Sequence, residues 1–350
     1  MGQTNNVKIQ QKRVTQLHHR NVHVDDDFLL LSERYPEFKK FIKIINGKIR
    51  INYNNPKTLY SISKVLLHYR YNINWDIPDN FLIPTIPSRA NYVHFISDLL
   101  TPEHFYNTEI VNYKGFQSDI KAITDINTNS DDCFAEFIPK GKHVLGLDIG
   151  IGANCVFSLL CNKIYSWNMI GTDISIESLK VSDTIIKENN LSSCIKLLCQ
   201  ENPDNILFGI LNRPEIEDLK FSFTICNPPY YDSVEDSETS THPARLRNCQ
   251  MHEIITQGGE SQFILKLYFE SKNFSKRVIW YTSQVSKLKN LKFLRNFLGK
   301  EVISNELRSV RYTTLKQGKH NKWVIAWSFF EREERVSILK FLRNNKNLDF

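Results

Sequence analysis

The stretch His143-Val144-Leu145-Gly146-Leu147-Asp148-Ile149-Gly150-Ile151-Gly152-Ala153 is an apolar run that stops at an acid and two spaced glycines. Glycines there let the backbone turn tightly and let a ligand approach it closely. Outward from this point the pattern alternates. His143–Ile149 predicts a first strand, Ala153–Cys161 a helix, Trp167–Asp173 a second strand, and a helix follows through Asn189. Ile195–Cys199 and Phe221–Cys226 predict the third and fourth strands. Gly259–Phe269 predicts a helix, Arg277–Thr282 a fifth strand, and Gln284–Phe297 another helix. Strand–helix alternation of this kind marks a parallel sheet. The runs Val302–Val310 and Trp323–Phe330 have no helix between them and predict an antiparallel hairpin at the sheet edge. The expected fold is α/β, a seven-stranded Rossmann-like sheet.

Upstream, residues 1–24 are polar and basic, with Lys8, Lys12, Arg13, His18, His19 and Arg20, and are expected to form a flexible arm. Residues 25–130 form an α+β extension with its own apolar content. Phe28–Leu31 and Glu37–Ile42 suit short helices, and Lys48–Tyr53 alternates as a strand does. Pro56 opens a helix through Leu67, in keeping with proline in a first turn. Ile83–Arg89, broken by two prolines, predicts a rigid connector into a helix from Asn91. Residues 131–330 carry the sheet, and 331–350 a charged, helical tail.

The chain of 350 residues is 41% hydrophobic, enough for a packed core, and 12% aromatic, rich enough for stacking surfaces. Its formal charge of +7 favours a polyanionic partner. Seven cysteines include no C-x-x-C pair, and several sit in apolar runs, which points to reduced thiols in an intracellular protein. His18, His19 and His23 have no partners at ligand spacing, so no metal is expected. No apolar run is long enough for a membrane span, and the N-terminus has no signal-peptide core.

The glycine loop lacks the third glycine of a phosphate-binding fingerprint, because position 155 is Cys155. The form D-x-G-x-G suits S-adenosylmethionine, whose uncharged adenosine and amino-acid ends need room but no phosphate cradle. Asp148 is expected near the ammonium or sulfonium charge of that cofactor. Asp173, about 25 residues on and close to the roughly 20 expected between a glycine loop and its ribose acid, is expected to accept both ribose hydroxyls. Asn227-Pro228-Pro229-Tyr230 closes the fourth strand. The Asn oxygen and the Pro228 carbonyl can each accept one hydrogen from an exocyclic NH2, while Tyr230 stacks on the ring. Such bonds keep the nitrogen lone pair out of the ring, so methyl transfer to a planar nitrogen is the expected chemistry. Asn and Pro also favour turns; the motif gains meaning from the loop and acid before it. Together they predict a class I methyltransferase sheet with its ligands at the carboxyl ends of the strands.

With these residues in view, the chain resembles the adenine-N6 RNA methyltransferase family that joins the bacterial RlmF 23S ribosomal RNA enzyme to the eukaryotic U6 small nuclear RNA enzyme. The resemblance runs from about His19 to Phe330. It includes Arg34–Phe38, Ile83–His94, Leu147–Asn154, Cys226–Tyr231, Gly258–Glu260 and Trp323–Phe329. It implies Arg89 on the methionine carboxylate, Gly150 and Gly152 in the cofactor loop, Asp173 on the ribose, and Asn227 through Tyr230 as the catalytic set. The family usually has Phe after Pro-Pro and often Glu as ribose acid, both conservative departures. Ending at Phe350, the chain is expected to lack the C-terminal RNA-binding region of longer animal members.

Expected RNA contacts are Lys12, Arg13 and Arg20 in the arm, and Arg311, Lys316, Lys319 and Lys322 in a hairpin loop spanning 311–322; the basic stretch Lys287–Arg295 is a further candidate. A target adenine must be unpaired or flipped to reach Tyr230. The resemblance favours U6 small nuclear RNA as substrate, and a nuclear location, with the cytoplasm also open, follows from that substrate; a monomer is expected. Ribosomal RNA methylation, DNA adenine or guanine-N2 methylation, protein glutamine methylation, and an inactive RNA-binding protein of the same fold stay open as alternatives.

Overall fold

The computed structural model describes residues 17–46, 48–102, 135–238, 249–317 and 320–345. Its centre is a seven-stranded sheet in the order β5-β4-β3-β6-β7-β9-β8. These strands are β3 (Leu145–Ile149), β4 (Asn168–Asp173), β5 (Ile195–Cys199), β6 (Phe221–Cys226), β7 (Val278–Val285), β8 (Ser309–Gln317) and β9 (His320–Ser328). The first five pair in parallel; β9 runs antiparallel to both β7 and β8. The strand order reverses beside β3, which places the glycine loop at the point where such sheets bind ligands. A separate two-stranded ribbon pairs β1 (Ile42–Ile45) with β2 (Lys48–Ile51).

Alternation along the strands feeds two apolar layers. In β9, Val324 and Ala326 join one cluster while Ile325 and Trp327 join the other. The first layer takes helices α3 (Pro56–Tyr71), α4 (Ile86–Leu99), α5 (Val156–Tyr165) and α6 (Ile176–Glu188), and the C-terminal α11 (Arg332–Asn344). The second layer takes α9 (Gly259–Lys272) and α10 (Leu288–Ile303). Short helical segments among the described residues include α1 (Phe28–Arg34), α2 (Pro36–Lys39), α7 (Val234–Glu238) and α8 (Met251–Ile254). Among the described residues, no helix is long and apolar enough to cross a membrane.

Several boundaries differ from the sequence expectation. Helix α4 begins at Ile86, not Asn91, because Pro87 sits in the first turn, where a missing N–H costs nothing; Arg89 is therefore helical. Helix α10 runs through Ile303, so residues 302 and 303 are helix and not strand. The predicted loop 311–322 is instead mostly paired strand, with Thr314 opposite Trp323 and Lys316 opposite Asn321. The charged tail packs onto the core: Leu339 and Leu342 are buried, and the Arg335 guanidinium lies 4.9 Å from the Trp280 ring centroid.

The end of the predicted arm is likewise docked. His18 bonds Asp98 at 2.9 Å, and Arg20 bonds Asp98 and, at 2.9 Å, the Ser97 hydroxyl, all on α4. The His18 backbone N–H and the Asn21 amide both donate to Asn91. Residues 17–21 thus form a brace on α4. Lys12 and Arg13 lie outside the described residues.

Candidate active site

A cavity of about 760 Å³ opens at the carboxyl ends of β3, β4 and β6. Arg89, Gly150, Gly152, Asp173, Asn227 and Pro229 all border it. Gly150 and Gly152 have φ of 69° and 61°, left-handed values that disfavour a side chain. A Cβ on Gly150 would meet nothing within 4 Å. The backbone there faces open space that a ligand can fill. The Gly152 N–H donates to Asp173 Oδ2 at 2.8 Å, tying the loop to the tip of β4, and the Ser175 N–H donates to Oδ1 at 2.9 Å. Only 8% of Asp173 is exposed, and burial raises its pKa against these two hydrogen bonds.

Arg89 reaches the cavity from α4. Its guanidinium donates to Gln284 on β7 and lies 5.1 Å from the Phe157 ring centroid. This fork, held from two sides, is suited to a carboxylate. Asp148 does not take the place expected for it. It is buried, does not border the cavity, and accepts from the Ser158 N–H and hydroxyl at 3.2 and 2.8 Å. Burial pushes its carboxyl up to about 7, and the nearby charge of Asp173 adds to the rise. Asp148 is thus an anchor joining β3 to α5.

The loop that carries Asn227 through Tyr230 is bound to the end of α8 and the residues after it. The N–H groups of Tyr230 and Tyr231 both donate to the Ile254 carbonyl, and the Thr256 N–H returns to the Tyr231 carbonyl. The Tyr230 hydroxyl donates to Asn227 Oδ1, so the amide is oriented from within its own loop. Lys322, from β9, places its ammonium 4.6 Å from the Tyr230 ring centroid. Glu260 accepts from the Ser286 N–H and the Asn290 amide at 2.6 and 2.8 Å, fixing the start of α9 against the turn into α10.

Of the expected RNA contacts, Lys322 is placed against the Tyr230 ring of the Asn227–Tyr230 loop. Arg20 is committed to Asp98 in the brace. Arg311 is 9% exposed, with Nη1 donating to the Val310 carbonyl at 3.0 Å, because it belongs to a strand and not a loop. Lys316 lies on β8, its side chain outside the description, as is Lys319. Lys287 bonds Asp236 at 3.3 Å and lies 5.3 Å from the Tyr231 ring centroid. The sequence reading did not single out His252, Glu253, Gln200, Gln262, Phe263 or Lys266, which also border the cavity. His252 and Glu253 come from a single turn and Gln200 from an irregular segment, which have no apolar period to reveal them; Gln262, Phe263 and Lys266 lie on α9, whose helical pattern does not say which side chains face the cavity.

A family model described as RNA methyltransferase matches residues 11–116 and 117–331. Ribosomal RNA large subunit methyltransferase F of Flavobacterium johnsoniae is 34% identical over 340 residues, spanning 92% of this chain and 96% of that protein. The protein of the same name from Photobacterium profundum is 30% identical over 96% of this chain and 97% of its own length. Among solved structures, the human METTL16 catalytic domain in complex with the MAT2A 3'UTR hairpin 1 superposes with a TM-score of 0.70, 25% identical, covering 90% of this chain and 96% of that one. The N-terminal domain of human METTL16 in complex with SAH gives 0.66 at 26% identity, covering 90% and 99%. The match along nearly the whole sheet and extension places this chain in the RNA methyltransferase family that these proteins share.

Proposed function

We propose that the protein transfers a methyl group from S-adenosylmethionine to the N6 amine of an unpaired adenosine in structured RNA. One observation carries the reading: Asn227 and Pro229 border the same cavity as Arg89, Gly150 and Asp173. A planar amine held at Asn227, in the loop that Pro229 shares, would therefore share a space with a ligand held by the second group. The neighbouring structures bound to SAH and to RNA hairpins support both halves of it.

Arg89 would hold the donor's carboxylate, the glycine loop its adenosine side, and Asp173 its ribose hydroxyls. When bound, S-adenosylmethionine supplies an electrophilic methyl on a sulfonium. Asn227 Oδ1 accepts one amine hydrogen and the Pro228 carbonyl the other. The hydroxyl of Tyr230 uses only one lone pair of that Asn oxygen, leaving the second for the amine. The Tyr230 ring carries the flipped base on the face opposite Lys322. Lys322 gives the adjoining RNA backbone a cation. The amine proton leaves to water, so no strong base is needed. Holding both reactants in one orientation can lower the barrier by roughly 7–11 kcal/mol.

By their names the curated relatives act on large-subunit ribosomal RNA, which puts that RNA first among substrates and U6 small nuclear RNA second. A nuclear location belongs to the U6 reading alone. The test is incubation with methyl-labelled S-adenosylmethionine and, separately, ribosomal RNA, U6 RNA, duplex DNA and a glutamine-bearing protein. Digestion should return the label as N6-methyladenosine from RNA. Label recovered in protein glutamine, or in a methylated guanine, would replace this reading.

A further inference from the structure

Two polar side chains on the cavity wall have no part in the scheme above. Both come from α8, a single turn opened by a capping box between Gln250 and Glu253. Glu253 Oε2 accepts the Gln250 N–H at 3.0 Å, and the same carboxylate accepts the Leu82 N–H at 3.1 Å from the chain leading into α4. Glu253 Oε1 lies 3.8 Å from the position of a Cβ on Gly152, the residue whose N–H binds Asp173. The two carboxylates thus flank one glycine. Burial pushes the Glu253 carboxyl up to about 7, with the charge of Asp173 adding to the rise. Beside it, His252 borders the same cavity and stands close enough to Asp173 to favour its ionised form. Among the described residues, His252 Nε2 is buried and has no hydrogen-bond partner. A buried ring nitrogen costs free energy unless something pairs with it.

The demand of the ligand matches this supply. A vicinal diol presents two O–H donors and several lone pairs. Asp173 offers acceptors only, and each of its oxygens already receives a backbone N–H. A diol lying there needs a further acceptor and a group that can donate to its oxygens. Glu253 provides the first. The imidazole of His252 provides the second, or an acceptor in its other tautomer.

We propose that His252 and Glu253 form the second half of the donor's ribose site, gripping the diol from the side opposite Asp173. This rests on the donor reading given above and deepens it. It makes α8 a strap with two attachments: its backbone holds the catalytic loop through Ile254, and its side chains hold the donor.

Calorimetric titration with S-adenosylhomocysteine, and with its analogue lacking both ribose hydroxyls, tests the assignment without turnover. Wild type, His252→Ala and Glu253→Gln are compared; glutamine keeps an oxygen for the Leu82 and Gln250 N–H groups, so the strap is preserved. Each variant should bind S-adenosylhomocysteine roughly tenfold more weakly, the scale of one hydrogen bond to a charged or buried group. All three proteins should bind the analogue within about twofold of one another. Wild-type affinity in either variant, or an equal loss for both ligands, overturns the role of that residue. A wild type that binds S-adenosylhomocysteine while both variants match it refutes this inference alone. A wild type that does not bind it removes the donor reading, and this inference with it.

Discussion

The cavity and the N-terminal brace both bury ionisable groups, but they satisfy them in opposite ways. In the brace, side chains bond side chains: His18 and Arg20 meet Asp98, and His94 meets the Tyr165 hydroxyl at 2.7 Å. In the cavity, Asp173 and Glu253 are held by backbone N–H groups, which fix each carboxylate yet leave lone pairs facing open space. A polar cluster that pairs with itself is a brace. One oriented by backbone is ready for a ligand.

The largest expected effect breaks the cavity half. Asn227→Ala should lower methyl transfer by about 100- to 1,000-fold, the scale of removing one preorganised polar group. Binding of S-adenosylhomocysteine and of RNA should change by less than about threefold, and matching losses of binding would refute the assigned role. The brace should respond in reverse. Asp98→Asn leaves His18 and Arg20 without their anion, at a cost of about 1–2 kcal/mol after discounting for partial exposure, or roughly 1–3 °C in melting temperature for a chain of this length. Donor affinity should not move; a parallel fall in donor affinity would mean that the two regions are one.

The pH response sharpens the contrast. Burial lowers the pKa of His18 and His94, so their contribution is present above the ordinary histidine value and lost as pH falls through it. Burial raises Asp148 and Glu253 to about 7, so their contribution is present at low pH and lost as pH rises from the usual carboxylate range through neutrality. Asp148→Asn should therefore flatten the decline in melting temperature between about pH 4 and 7. An unaltered profile would show that Asp148 does not carry that decline. The smallest effect concerns RNA: Lys322→Ala should weaken binding a few-fold and reduce the salt slope by about one. An unchanged slope would move the backbone contact elsewhere.

The sheet was legible because its strands are apolar runs ending in residues with a reason to be there, such as Gly150, Asp173 and Asn227. Long periodic elements announce themselves; single turns do not. Helix α8 has one buried apolar residue, Ile254, and its only sequence signal was the Gln250–Glu253 capping box. The hairpin boundaries were misread because Val302 and Ile303 are β-branched, while burial of Leu291, Leu294 and Leu298 extends α10 through them. Arg20 and Arg311 are expected on RNA from the sequence because charge is visible there and their protein partners are not. Asp148 was legible as a residue but not as an anchor, since only the fold reveals Ser158 beneath it.

The most direct measurement is a crystal structure with S-adenosylhomocysteine bound. The account predicts the amino-acid end at Arg89, the ribose at Asp173, and the sulfur turned toward Asn227 with room between them for a purine amine. A ligand whose sulfur points away from Asn227, or a cleft between them closed by side chains, would contradict it.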